Sequence, residues 1–298
     1  MSVCVQSVEV FQLFHKTRPL SSTSGQHVTR YADTVSVLRS STCEREIYLV
    51  GTAHVSEKSA QEVAELVRRV RPTVVAVELC DERLATMRET IAKERRGEKK
   101  GEGGTSEFVR RAVRDFFGAF TGARGPGNVA DGLLGAAMKT FYGFFRLSGL
   151  EPGKEFKEAV KEAEALGAQV VCADRDVRET LRRLRENLSF DDVMAIVSGR
   201  VRPGGPSPPP GIEGGMDDIE NVVESLKTRA NVRQMREFLE YQFPRVSKVF
   251  IEERDDIMFD ALMRIRAERV VAVVGMAHMD GIERRWEETQ ERLRLRGR

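Results

Sequence analysis

Two copies of one short device constrain this chain more than any other feature. In Glu46–Ser56, EIYLVGTAHVS, an apolar run from Ile47 to Val50 stops at Gly51, and His54 follows three residues later. In VVAVVGMAHMDGI the run Val270–Val274 stops at Gly275, and His278 follows at the same spacing. Short β-branched runs of this kind read as buried strands. A histidine three residues past the terminal glycine stands just beyond a strand end, on the edge of an open α/β sheet where ligands bind. The chain holds only four histidines, so two in equivalent places point to a shared task.

The rest of the chain supplies the layers such a sheet requires. Residues 34–38, TVSVL, alternate apolar and polar and predict a strand that pairs with Ile47–Val50 as a hairpin. Ser56 is a good N-cap, and Ala60, Val63, Val67 and Val70 recur at helical spacing up to Pro72. Thr73–Leu79, TVVAVEL, reads as a strand buried on both faces and placed beside Ile47–Val50 through a βαβ crossover. Gln169–Ala173, QVVCA, reads as another buried strand, after a helix ended by Gly167. Helices are expected over 217–229, 231–242, 245–266 and from Gly281 to the end.

The expected fold is therefore α/β, with a central sheet of parallel strands built from two related halves, each with one strand–Gly-x-x-His unit. Residues 1–30 read as a flexible leader before a domain over 31–298. Residues 107–147 hold seven of the fifteen phenylalanines and read as a helical insertion: a layer packed on the domain, or a lid, dimer surface or membrane contact. Residues 198–215, with Pro206-Ser207-Pro208-Pro209-Pro210, read as a disordered loop.

Composition excludes several classes. The net charge is 48 − 46 = +2 with both signs interleaved, which leaves no basic footprint for nucleic acid. No window approaches the ~20 apolar residues of a transmembrane span, so any membrane contact is expected to be peripheral. Cys4, Cys43, Cys80 and Cys172 show no CxxC spacing and indicate a reducing compartment. The expected location is cytoplasmic, with association with mitochondria as the alternative that the Ser/Thr-containing leader permits.

Four strand ends carry polar groups: His54, Glu78, Asp174 with Arg175, and His278. Two imidazoles and a carboxylate suit a divalent transition metal such as Mn, Co or Zn, with His54, Glu78 and His278 as ligands. Such an ion acidifies its water and polarises a carbonyl. A second carboxylate, Asp174, would orient a histidine or take a proton. Arg83, Arg175 and Arg254 would clamp a substrate anion or neutralise buried acids. The competing structural reading for Glu78 is an ion pair with Arg83 or Arg254, because a charge inside an apolar strand must be paired or protonated. Cys80 and Cys172, also at strand ends, read as small core residues.

LVGTAHVS, VAVELCDERL, PGKEF, ADRDVRETLRR, IEERDDIM and VVGMAHMDGI, in that order, resemble the TraB/PrgY family from about Val35 to Trp286. The cysteine in VELC is similar to the eukaryotic TraB-domain branch. That family is in turn similar to the Tiki proteins, membrane-tethered metal-dependent peptidases with two Gly-x-x-His motifs. The resemblance implies His54, Glu78 and His278 as site residues, and roles for Arg83, Asp174, Arg175, Glu253 and Arg254. It implies a peptide or protein substrate, since PrgY-like members reduce the activity of a peptide pheromone. Several family members carry transmembrane helices after the last motif, where this sequence has a charged helix. Two functional expectations stand: a metal-dependent, peptidase-like hydrolase, and a non-catalytic binding or scaffold protein that keeps the fold and associates with peptides or organelle membranes.

Overall fold

The computed structural model describes residues 27–52, 57–97, 153–198, 200, 202–207 and 228–296. Six strands form one mixed sheet: β1 (Val28–Ala32), β2 (Val35–Arg39), β3 (Glu46–Thr52), β4 (Val74–Val77), β5 (Gln169–Cys172) and β6 (Arg269–Gly275). Their spatial order is β1-β2-β3-β6-β4-β5. The first three pair antiparallel, and β3, β6, β4 and β5 run parallel to one another. The expected α/β class with a mainly parallel sheet is what the chain adopts. The β2–β3 hairpin forms as expected, with Val35 opposite Val50.

The helices are α1 (Glu57–Val70), α2 (Asp81–Arg95), α3 (Lys154–Leu166), α4 (Val177–Asn187), α5 (Phe190–Val197), α6 (Arg229–Gln242), α7 (Pro244–Ser247), α8 (Glu253–Arg264) and α9 (Met276–Arg296), with a π-helical turn at Lys248–Glu252 between α7 and α8. They cover both faces of the sheet. Val270, Ala272 and Val274 of β6 pack with Met258, Leu262, Met279, Ile282 and Trp286 of α8 and α9. The intervening Val271 and Val273 pack with Val63, Val67, Phe156 and Val160 of α1 and α3. A strand with apolar side chains on both faces must lie inside a parallel sheet, and β6 takes that central place.

The sequence expectations need four corrections. Thr73–Leu79 does not lie beside Ile47–Val50, because β6 inserts between β3 and β4 and pairs with both. Residues 28–30, expected to belong to a flexible leader, are part of an edge strand, Val28–Ala32 opposite Leu38–Val35. The C-terminal helix starts at Met276, not at Gly281, and this puts His278 on its first turn. Within the stretch 198–215 expected to be disordered, residues 202–207 form a turn laid on α6: Gln242 accepts from the Arg202 N–H at 2.6 Å and donates to its carbonyl, and the Tyr241 hydroxyl donates to the Pro203 carbonyl. The expected helical insertion over 107–147 lies outside the described residues.

Candidate functional site

All four parallel strands deliver their C-terminal ends to one edge, and the expected polar residues follow from that. Thr52 is level with Gly275, and Val77 with both Val273 and Cys172. Glu78 therefore leaves β4, Asp174 leaves β5 just past Ala173, and His278 leaves β6 on the first turn of α9. Glu78, Asp174, Arg83, Arg254, Asp255 and His278 are brought together, each with its side chain at most 1% exposed. His54 and its neighbours 53–56, past the end of β3, lie outside the described residues.

Arg254 is the centre of the buried charges. Its Nη2 donates to Glu78 Oε1 and, at 2.9 Å, to Asp174 Oδ2, while Nε donates to Asp174 Oδ1 at 3.1 Å. Arg83 stands 3.6 Å from Asp174 Oδ2 and donates to the Glu78 carbonyl at 3.4 Å. Burial pushes the Asp174 carboxyl up, but the Arg254 charge and hydrogen bonds, with Arg83 and His278, outweigh it and hold it below its ordinary range. Burial pulls the Arg254 guanidinium down, yet Asp174 and Glu78 raise it above its ordinary value. Burial dominates for Arg83 and lowers it despite the attraction of Asp174. Asp174 thus lies between two guanidinium groups and accepts two hydrogen bonds from Arg254.

Arg175 points away from this cluster. It donates to Glu253 Oε2 at 2.7 Å, to the Val249 carbonyl at 2.7 Å and to Thr180 Oγ1 at 2.9 Å. The π-helical turn makes this possible. There the Glu253 N–H reaches back to the Lys248 carbonyl, so the Val249 carbonyl, which an α-helical register would pair with that N–H, is left for Arg175. Glu253 is also gripped by Arg183 through two bonds. Burial raises the Glu253 carboxyl, and the two arginines outweigh it and lower it. The Arg175–Glu253–Arg183 group thus clamps α4 onto the turn that presents Arg254 and Asp255.

His278 stands between two carboxylates. Its Nδ1 lies 2.7 Å from Asp255 Oδ1. Its Nε2 is buried without a hydrogen-bond partner among the described residues, 3.5 Å from Glu78 Oε1. That separation is close enough for an ionic contact, but the geometry makes no hydrogen bond. Glu78 Oε2 accepts from the Gly275 N–H, so the glycine of the second Gly-x-x-His unit holds the carboxylate beside the imidazole of the same unit. Gly51 serves packing: a Cβ there would lie 2.0 Å from Met279 Sδ of α9.

Two ligands 2.0–2.2 Å from one tetrahedral centre lie roughly 3.3–3.6 Å apart, and His278 Nε2 and Glu78 Oε1 meet that spacing. Among the described residues no group of three or more His, Cys, Asp or Glu is placed to hold a metal. His278 and Glu78 are two of the three expected ligands, and the third, His54, lies outside the described residues. Burial raises the Cys80 thiol, and burial with the adjacent Asp81 pushes Cys172 up to about 12.

Asp255 was missed from sequence. It accepts from Arg236 Nη2 of α6 at 3.1 Å and lies 3.5 Å from Arg285 Nη1, both on Oδ2. The signal was present: Asp255 falls four residues after Ile251, three before Met258 and seven before Leu262, on the buried stripe of its helix. A second buried network was also missed. Arg229 at the start of α6 donates to both oxygens of Glu283, to Ser36 Oγ, to Asp280 and to the Asp33 carbonyl, tying α6 to α9 and to the β1–β2 turn.

Residues 37–190 match the family model described as the TraB/PrgY/gumN family, which is more than half of the chain. The chain belongs to the TraB/PrgY/gumN family. An uncharacterized protein of Methanocaldococcus jannaschii is 29% identical over 245 residues, 81% of this chain and 53% of the archaeal one. TraB domain-containing proteins of mouse and human are 28% and 27% identical over 80% of this chain and 62% of their own length. The chain thus spans little more than half to three-fifths of these TraB relatives. The family match ends at residue 190 and so includes Glu78, Arg83, Asp174 and Arg175, while the Arg254–Asp255 turn and His278 come from the part beyond it.

Proposed function

We propose that this TraB-family protein is a metal-dependent hydrolase acting on peptide or protein substrates. The observation that carries the reading is the buried His278 Nε2, without a hydrogen-bond partner among the described residues and 3.5 Å from Glu78 Oε1. A buried imidazole nitrogen facing a carboxylate without a hydrogen bond is costly unless a cation is shared between them. His278, Glu78 and His54 would hold the ion, a divalent Mn, Co or Zn. When bound, such an ion acidifies water and polarises a carbonyl.

The chain's own residues do the rest. Glu78 or Asp174 would handle the proton. Arg254 sets the orientation of Glu78, Asp174 holds Arg254, and Arg83 faces Asp174 and the Glu78 carbonyl. Arg175 fixes the π-helical turn through Glu253. The peptide class rests on the likeness to PrgY and Tiki proteins. No described helix is long and apolar enough to cross a membrane, which fits a peripheral membrane contact or none; we propose cytoplasmic residence, or association with mitochondria.

One observation favours the alternative of a binding or scaffold protein. Both Glu78 oxygens already have partners, Arg254 and the Gly275 N–H, as a purely structural network would require. Metal analysis of the purified full chain separates the two. The hydrolase reading expects one equivalent of a transition metal, lost in His54→Ala and in His278→Ala, and metal-dependent cleavage of a peptide library. Absence of any bound metal after loading with Mn2+, Co2+ and Zn2+ in turn favours the scaffold.

A further inference from the structure

We propose that Asp255 is the positioning residue of this site, holding His278 as the Nδ1–H tautomer so that Nε2 faces Glu78 as a bare lone pair. Its consequence for metal affinity rests on the hydrolase reading; the tautomer itself does not.

Asp255 has one oxygen for each of two tasks. Oδ2 is engaged by cations from two helices, Arg236 of α6 and Arg285 of α9, at 3.1 and 3.5 Å. Oδ1 lies 2.7 Å from His278 Nδ1. A carboxylate flanked by two guanidinium groups offers only acceptors, so Nδ1 carries the hydrogen. Neutral imidazole then has its lone pair on Nε2, the atom left without a hydrogen bond among the described residues. Carboxylate–imidazole pairs of this kind fix the ring and raise the basicity of the ligating nitrogen.

The surroundings are shaped for this pose. Gly281 lies three residues after His278 on the same helical face. A Cβ at Gly281 would sit 1.8 Å from Asp255 Oδ2, so only glycine lets α9 approach closely enough for the histidine to reach Oδ1. Arg236 also donates to the Ala277 carbonyl, so one guanidinium touches both Asp255 and the turn carrying the histidine. A carboxylate needed only to neutralise two arginines would not require contact with the ring.

Asp255→Asn tests the assignment at nearly constant volume. The two arginines demand an acceptor at the Oδ2 position, so the asparagine carbonyl stays there and its NH2 falls opposite Nδ1. An NH2 donates, so Nδ1 must accept and the hydrogen moves to Nε2. The full chain is stripped of metal, labelled with 15N-histidine and examined by NMR at a pH where the ring is neutral, with His278→Gln identifying the resonance. Wild type is expected as Nδ1–H and Asp255→Asn as Nε2–H, with Co2+ affinity of the variant reduced about 10- to 100-fold. Wild type found as Nε2–H overturns the proposal even if the variant does not fold. A variant that keeps the Nδ1–H form, or that switches while Co2+ affinity is unchanged, overturns it too. Tautomers as expected in a wild type that takes up no Co2+ uphold the role of Asp255 and defeat the hydrolase reading instead.

Discussion

Arg254 neutralises two carboxylates whose side chains are fully buried. Arg254→Met keeps the length and apolar stem but leaves Glu78 without its guanidinium partner and Asp174 with Arg83 as its remaining arginine ion pair among the described residues. Removing one partner of a buried pair costs about 3–5 kcal/mol, and urea unfolding at neutral pH should show a loss of that order. A loss below about 1 kcal/mol would mean that water reaches the carboxylates. Asp174 gives the complementary pH dependence. Its folded pKa is below the unfolded value of about 3.9, so the native state releases this proton more readily than the unfolded one. The resulting stability is present above about pH 4 and disappears as pH falls through the folded pKa. Asp174→Asn should therefore lower stability at neutral pH and flatten its decline in acid; an unchanged acid slope would remove Asp174 from the account.

At the scale of elements, what the sequence showed and what it hid have separate physical causes. The strands Ile47–Val50, Thr73–Leu79 and Val270–Val274 were legible because burial on two faces demands unbroken β-branched runs. Their order was not, because nothing local in β3 or β4 records that β6 will come between them some 190 residues later. Edge strand β1 escaped because its residues are only partly buried and Thr29, Arg30 and Tyr31 break the apolar pattern. His278, Glu78, Asp174 and Arg254 were legible as polar residues at strand ends or amid apolar helix residues, whereas the partition of Arg175 away from them depends on the π-helical turn, which no periodicity announced. Gly51 was read as a strand stop, and its packing role gives a prediction. A Cβ there would lie 2.0 Å from Met279 Sδ and 3.2 Å from the Met276 Cα, so Gly51→Ala must move α9 or the methionine. Overpacking of this kind costs about 1–3 kcal/mol. Combining it with Met279→Ala should restore part of the loss, because the two share one contact; strictly additive unfolding energies would place the strain elsewhere.

For the whole molecule, the four parallel strands and α9 form one body around β6, and His278 follows β6 itself while Glu78 follows its neighbour β4. An ion held between them would bind the folded chain and not the unfolded one, since the donors are brought together only by the sheet. Ligand linkage then stabilises the native state by RT ln(1 + [L]/Kd), about 2.7 kcal/mol at one hundred times Kd. For a chain of this size each kcal/mol raises the melting temperature by about 2 °C, so chelator-treated protein should melt about 5 °C higher after addition of saturating Mn2+, Co2+ or Zn2+. His278→Ala should abolish the shift. In the metal-free state it should cost little beyond the cavity and the loss of a partner for Asp255, because Arg236 and Arg285 still neutralise that carboxylate. Glu78→Gln should abolish the shift as well while also weakening the metal-free fold, since it removes the charge that Arg254 was placed to meet. A metal-induced shift that survives in both variants would locate the ion away from this edge, and no shift with any of the three ions would leave the buried cluster as a purely structural polar network.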